Sequence, residues 1–273
     1  MKPTFDAARQ ACLGCLEQSP PATFDAALWI AAEHESGFHP QQCDEALREL
    51  QLQISVGLPM LPVNELAQPL LRRINSLGYQ ADDFHPLRPQ AALLNKVLER
   101  KRGQPLALAL LALEMARRLD IPLVGVNFPG HFLLRVPGAD HQLDPCGGRR
   151  LYPADCRELL GRQFGPQVPL LAEHLAQASP RDMLQRLSRN LRQLHSSHQD
   201  DIAALKDAER VLQLAPPSAA DHVARAGIYQ RLECPRGERF DLEHALLLSE
   251  DPVQRLRLTT RLQELPLPPS SLH

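Results

Sequence analysis

The chain has 273 residues, with 30 Lys and Arg against 32 Asp and Glu and a formal net charge of −2. That balance gives no electrostatic drive toward nucleic acid or an anionic membrane surface, so neither is expected as a partner. At this length one large domain or two modest ones can form, and 44% hydrophobic residues are enough for a real core.

The opening residues Met1-Lys2-Pro3-Thr4 lead into a polar, helix-like segment without the apolar stretch of a signal peptide. The longest apolar run, Leu106–Leu113, is far shorter than the roughly 20 residues that span a bilayer. Six cysteines (Cys12, Cys15, Cys43, Cys146, Cys156, Cys234) are scattered, unlike the dense framework of a small secreted domain. A cytoplasmic protein with reduced thiols is the expectation.

From Phe5 to Arg102 apolar residues recur at helical spacing, as in Phe24-Ala27-Leu28-Ala31, Leu47-Leu50-Ile54 and Leu66-Leu70-Leu71-Ile74-Leu77. Breaks at Ser19-Pro20-Pro21, Gly37 to Pro40, Pro59 to Pro62 and Gly78 to Pro89 divide this stretch into four or five short helices. Gly103-Gln104-Pro105 then opens a helix over Leu106–Leu119, with proline in the first turn, where its missing N–H costs nothing. This helix is apolar almost all round as far as Glu114, which predicts that protein wraps it. Arg117 and Arg118 near its C-terminus suit the helix dipole.

After Asp120-Ile121-Pro122 the pattern turns to short strands, Leu123–Asn127, His131–Val136 and His141–Asp144, with a turn at Pro137-Gly138-Ala139-Asp140. A turn centred on Gly138-Ala139 pairs Val136 with His141, Leu134 with Leu143 and Phe132 with Pro145. Alternation then puts Phe132, Leu134, Val136 and Leu143 on one face, and His131, Arg135, Gln142, Asp144 and Cys146 with Leu133 on the other. In that register Asp144 lies diagonal to His131, at about 5.5–8 Å between Cα atoms, within reach of a His–Asp hydrogen bond. Such a pair is the orienting half of a catalytic triad, or a pair that merely satisfies polar groups at a sheet edge.

From about Ser179 onward the pattern is helical and repeats. Pro216 and Pro252, 36 residues apart, each follow one helix (Ile202–Leu214, Glu238–Leu248) and precede another (Ser218–Leu232, Val253–Leu265). The spacing is close to the roughly 34-residue tetratricopeptide unit, with a plain helical bundle as the alternative. The arginines Arg186, Arg189 and Arg192 are read as a solvated helix face.

The helix after Gly-x-Pro, the Ile-Pro link, Gly-Val-Asn-Phe-Pro-Gly-His-Phe-Leu, the hairpin and Leu-Asp-Pro-x-Gly-Gly together resemble the transglutaminase-like core of the bacterial SirB family. The likeness covers roughly Ala22 to Glu264 and implies a helical segment before the core and tetratricopeptide-like helices after it. Transglutaminase-like enzymes place a cysteine at the start of the core helix and a histidine and an aspartate on the strands that follow. His131 matches the histidine and Asp144 the aspartate, whereas Pro105 or Leu106 falls at the nucleophile's place and Ala107 beside it. The resemblance therefore implies a scaffold whose triad is incomplete.

The fold class expected is α+β and predominantly α-helical: a helical N-terminal segment, a transglutaminase-like (papain-like) core with a small antiparallel sheet, and C-terminal tetratricopeptide-like helices. Residues 1–178 hold the helical segment and a core at about 91–160, 179–265 the repeats, and 266–273 a disordered tail. The leading expectation is a non-catalytic regulatory or adaptor protein, a pseudo-transglutaminase, that binds a protein or peptide. Its catalytic residues are none, His131 and Asp144 being a vestigial triad, and its binding candidates are His131, Asp144, Arg135 and Gln142. One alternative is a thiol hydrolase or acyltransferase with Cys146, opposite His131, as a relocated nucleophile; another is a small-ligand sensor that uses the vestigial cleft. No cofactor is expected and no metal. The Cys12-Leu-Gly-Cys15 spacing, with His34, His39 and Cys43 following, is the metal-type candidate, and packing is the preferred role for the two cysteines. Gly147-Gly148 before Arg149-Arg150 has the composition of an anion cradle but reads better as a turn. The oligomeric state stays open.

Overall fold

The computed structural model describes residues 5–85 and 87–266. Apart from Pro266, the stretch expected as a disordered tail lies outside the described residues. The chain forms two compact units that meet in sequence between Leu187 and Ser188.

In the first unit, helices α1 (Phe5–Leu16) and α2 (Thr23–His34) pack on one another. Arg9 fastens them, donating from Nε and Nη2 to Glu33 Oε1 and Oε2 at 3.0 and 2.7 Å in a buried fork. Two charges removed from water need this two-point pairing, because either one alone is costly to bury. Helix α3 (Asp44–Gly57) buries only Leu47, Leu50 and Ile54, one narrow stripe. Helix α4 (Ala67–Ser76) buries Ala67, Leu70, Leu71 and Ile74.

Strand β1 (Gln80–Ala81) pairs in parallel with β2 (Arg102–Gly103), on either side of the short helix α5 (Leu94–Arg100) in sequence. These five helices lie where the sequence places four or five. Helix α6 (Pro105–Arg118) follows at once, and Leu106 to Ala112 are all buried, as its all-round apolar character requires. Its arginines do more than suit the dipole. Arg117 and Arg118 both hold the buried Glu114, with Arg117 Nε and Nη2 at 2.9 and 2.8 Å and Arg118 Nε at 2.6 Å.

The sheet has the order β3 (Val124–Val126), β4 (Leu133–Arg135), β5 (Gln142–Leu143), β6 (Arg150–Leu151), antiparallel throughout. Leu134 pairs with Leu143, the register expected from the turn, although the strands are shorter than their apolar patterns suggest. Helix α6 packs on β3 and β4. The next helix, α7 (Pro153–Phe164), brings Cys156 and Leu160 into a cluster with Val126, Phe128, Leu133 and Leu151. Both sheet faces therefore carry apolar packing.

Helix α8 (Pro180–Ser197) runs across the boundary between the units. The second unit continues with α9 (Asp201–Leu214), α10 (Ala219–Arg231), α11 (Pro235–Leu248) and α12 (Pro252–Glu264). Each of these helices packs on its neighbour in sequence. The pair α9 and α10, of 14 and 13 residues, is followed by α11 and α12 of the same two lengths. No described helix is long and apolar enough to cross a membrane.

Candidate functional site

The corner formed by the head of α6 and the hairpin is built from the backbone outward. Gly103 lets the chain pass close to its neighbours: a Cβ there would lie 2.9 Å from Val97 Cγ2 and 3.3 Å from the Ala91 carbonyl oxygen. Gln104 donates its N–H to that same carbonyl at 2.6 Å and serves as the N-cap, with Pro105 in the first turn. The helix head is therefore fixed, and its side chains are Pro105, exposed, then Leu106 and Ala107, both buried. None of the three has a nucleophilic group.

His131 sits in a tight turn before β4 in which its N–H donates to the Phe128 carbonyl at 3.1 Å. Gly130 has φ +74, which favours glycine, and a Cβ on it would displace the Gln163 amide of α7. Arg186 clamps the same turn from α8, donating from Nη1 to Asn127 Oδ1 at 2.5 Å and to the Phe128 carbonyl at 2.8 Å. The imidazole of His131 is open to solvent on one side and partly desolvated on the other. That partial burial, with the Arg186 charge, holds it below its ordinary 6.5, while Asp144 pulls weakly the other way. It is the neutral form that stands here at pH 7.

Asp144 feels the imidazole's charge but makes no hydrogen bond with it. Its Oδ1 accepts instead from the Cys146 N–H at 2.8 Å, and its backbone closes the turn by donating to the Arg149 carbonyl and accepting from the Gly148 N–H. Burial, the Asp144 charge and a hydrogen bond from the thiol to that carboxylate push Cys146 up to about 12. A relocated nucleophile needs a thiolate near neutral pH, and this environment keeps the proton on. Gly147 and Gly148 both have positive φ, and Gly148 is pressed onto α4, where Gln68 Nε2 donates to its carbonyl at 2.7 Å. With the Gly148 N–H already engaged, this is a packed turn.

The polar face expected for the hairpin is corrected by α7. Leu133 shares its face with Val126 and Leu151 under Cys156 and Leu160, so Arg135 and Gln142 stand at the margin of an apolar cluster. Gln142 is only 4% exposed. Arg135 donates from Nη1 to the Leu175 carbonyl at 2.9 Å, but its Nε and Gln142 Oε1 are buried without partners. The structure thus brings Asp144 to Cys146, sets His131 apart with Arg186, and covers Gln142. Cys12 and Cys15 are both buried on α1, and among the described residues neither shares a group of donor atoms with His34, His39 or Cys43.

Two open cavities in the first unit lie elsewhere. One of about 630 Å³ is lined by residues of the loop before α2, of α6, β3 and the start of α8. The other, about 570 Å³, lies between the hairpin tip at Pro137-Gly138 and the region of Leu61 to Arg72. Neither is lined by His131, Asp144 or Cys146. Sequence reasoning missed both, because each is assembled from segments far apart in the chain.

In the second unit the buried charges are paired. Asp241 accepts from His222 Nδ1 at 2.8 Å and from Arg225 at 2.7 and 2.8 Å; Asp221 accepts from Arg189 at 2.8 and 2.7 Å and lies 3.5 Å from Arg192. The arginine face read as solvated is corrected accordingly, since Arg189 and Arg192 hold Asp221 and Arg186 holds the His131 turn. Phe240, Leu247 and Leu248 of α11 and Val253 and Leu256 of α12 are exposed.

Comparison with known proteins matches the pattern of the Transglutaminase-like superfamily to residues 41–189. A UPF0162 protein of Pseudomonas aeruginosa is 61% identical over 264 residues, 96% of this chain and 97% of the relative. The protein SirB1 of Salmonella typhimurium is 28% identical over 170 residues, 61% of this chain and 63% of its own length. The UPF0162 protein YchA of Escherichia coli is 26% identical over 218 residues, 78% of this chain and 81% of the relative.

Proposed function

The chain belongs to the UPF0162/SirB family with its transglutaminase-like core, and from that membership we propose that it is a non-catalytic regulatory or adaptor protein, a pseudoenzyme that binds a protein or peptide. What carries this reading is the head of α6, whose residues Pro105, Leu106 and Ala107 have no nucleophilic group where the resemblance to transglutaminase-like enzymes implies one. The protonated Cys146 thiol supports it, because the sulfur that sequence register set opposite His131 is held as a poor nucleophile.

The partner's contact is assigned to the C-terminal helices, read as tetratricopeptide-like. Two helix pairs of matching length support that reading, as does the apolar surface left at the last pair. In a repeat array each hairpin buries one face on its neighbour, and the final one either caps the array or offers its face to another molecule. Phe240 and Leu247, 50% and 81% exposed on one helix, are the anchors of that face.

Co-purification of the tagged full chain from extract of its own source tests this. The expected result is a protein enriched by the native chain and lost when Phe240→Glu and Leu247→Glu are combined. Enrichment of nothing, or enrichment unchanged by that double substitution, counts against the proposal.

A further inference from the structure

The cavity of about 630 Å³ falls within the roughly 300–1,000 Å³ of small-molecule sites, and its wall has two chemically distinct parts. Phe24, Leu110, Leu113, Leu123 and Met183 give it an apolar side. Along α6 the lining residues Leu110, Leu113, Glu114 and Arg117 follow one helix face, with Leu110 and Glu114 buried and Arg117 exposed.

Three charged side chains line the cavity: Asp25, Glu114 and Arg117. Glu114 and Arg117 are engaged with one another through two hydrogen bonds of 2.9 and 2.8 Å, and Arg118, which does not line the cavity, adds a third to Glu114. Asp25 is different. Among the described residues it accepts no hydrogen bond and forms no ion pair, and partial burial followed by the neighbouring Glu114 charge raises it from the ordinary 3.8, with Arg117 and Arg118 opposing that rise. With Glu114 paired to Arg117, Asp25 is the charged lining residue without a hydrogen-bonded partner among the described residues, and the lining carries more negative than positive charge.

We propose that this cavity binds a small monocationic molecule, an ammonium group on an apolar body, with Asp25 as its counter-charge. The ammonium donates hydrogen bonds to the Asp25 carboxylate, and the apolar body lies against Phe24, Leu110 and Met183. An anion there would meet Asp25 with the Arg117 guanidinium already turned to Glu114, and a neutral molecule would gain only the apolar contact. None of the hairpin residues lines the cavity, so this site is independent of the adaptor reading and stands or fails separately from it.

The test uses the full chain and three probes of nearly equal shape, the phenethylammonium ion, phenethyl alcohol and 3-phenylpropionate, titrated at neutral pH and followed by protein-observed NMR. Saturable binding of the ammonium probe is expected, with shifts at Gly125 and Ala178 and an affinity about tenfold or more above the other two, the size of one partly desolvated charge pair. Asp25→Asn, a change at an exposed position, should remove that preference and leave the binding of the alcohol unchanged. Leu113→Trp, which fills the cavity, should weaken all three. Equal affinities, tighter binding of the propionate, no saturable binding of the ammonium probe, or a preference that survives Asp25→Asn would overturn the proposal.

Discussion

The hairpin corner of the first unit and the helices of the second both hold buried or half-buried polar groups, but they treat them in opposite ways. In the helices each buried aspartate sits in a fork: Asp241 between His222 and Arg225, Asp221 between Arg189 and the Ser218 cap. Around the hairpin the groups stand loose: His131 has no hydrogen bond from its ring, and Arg135 Nε and Gln142 Oε1 are buried without partners. Among the described residues, every buried side-chain polar atom without a partner belongs to the first unit. The buried polar groups of the helices are satisfied inside the fold, whereas those around the hairpin are left incompletely matched. The helices are held by their charges, and the corner tolerates its own.

The sharpest way to break this contrast is to remove one fork. Asp241→Ala removes a fully buried carboxylate and leaves the buried His222 and half-buried Arg225 without it, and a loss of about 3 kcal/mol is expected in urea denaturation followed by helix signal. A loss under about 1 kcal/mol would mean that the forks do not hold the unit. His131→Ala serves as the opposing arm, with an expected change within about 0.5 kcal/mol.

Acid should separate the regions as well. Burial opposes ionisation of Asp221, yet the Arg189 fork and the N–H and hydroxyl of Ser218 outweigh it and hold the carboxyl far below its ordinary 3.8. A folded-state value below the unfolded one adds stability that is fully present above about pH 4 and is lost as pH falls through the strongly acid range. Acid titration of the native chain should show this loss, and Asp221→Asn should be less stable at neutral pH with a shallower acid slope. An unchanged slope would remove Asp221 from the account.

A smaller effect belongs to the turn that carries His131. Gly130→Ala meets both a positive φ and the Gln163 amide, so a cost of roughly 1–3 kcal/mol is expected by thermal unfolding. Combining it with Gln163→Ala should recover the steric part and leave the backbone part. Full recovery would show that conformation at Gly130 does not matter.

Much of this contrast was legible in the chain itself. The all-round apolar Leu106 to Leu113 predicted a wrapped helix, and the turn residues fixed the pairing of Leu134 with Leu143. The helices on either side of Pro216 and Pro252 were legible as well. What the chain did not disclose is which sheet face another element covers. Alternation in one hairpin separates two faces, but α7 brings Cys156 and Leu160 onto the side that holds Arg135 and Gln142. The same limit hid the role of Arg189, since its partner Asp221 lies on another helix. Likewise Asp144, diagonal to His131 by register, turns its carboxylate to the Cys146 N–H because the Asp144–Gly148 turn folds back on itself.

Reaction of the folded chain with a small thiol electrophile at pH 8, mapped cysteine by cysteine, tests the proposed non-catalytic reading most directly. Exposed Cys234 should react readily, whereas Cys146, pushed up to about 12, carries about one thiolate in ten thousand and should lag far behind, at a rate that His131→Ala does not alter. Selective labelling of Cys146 that slows on His131→Ala would contradict the account and restore a working thiol to the hairpin.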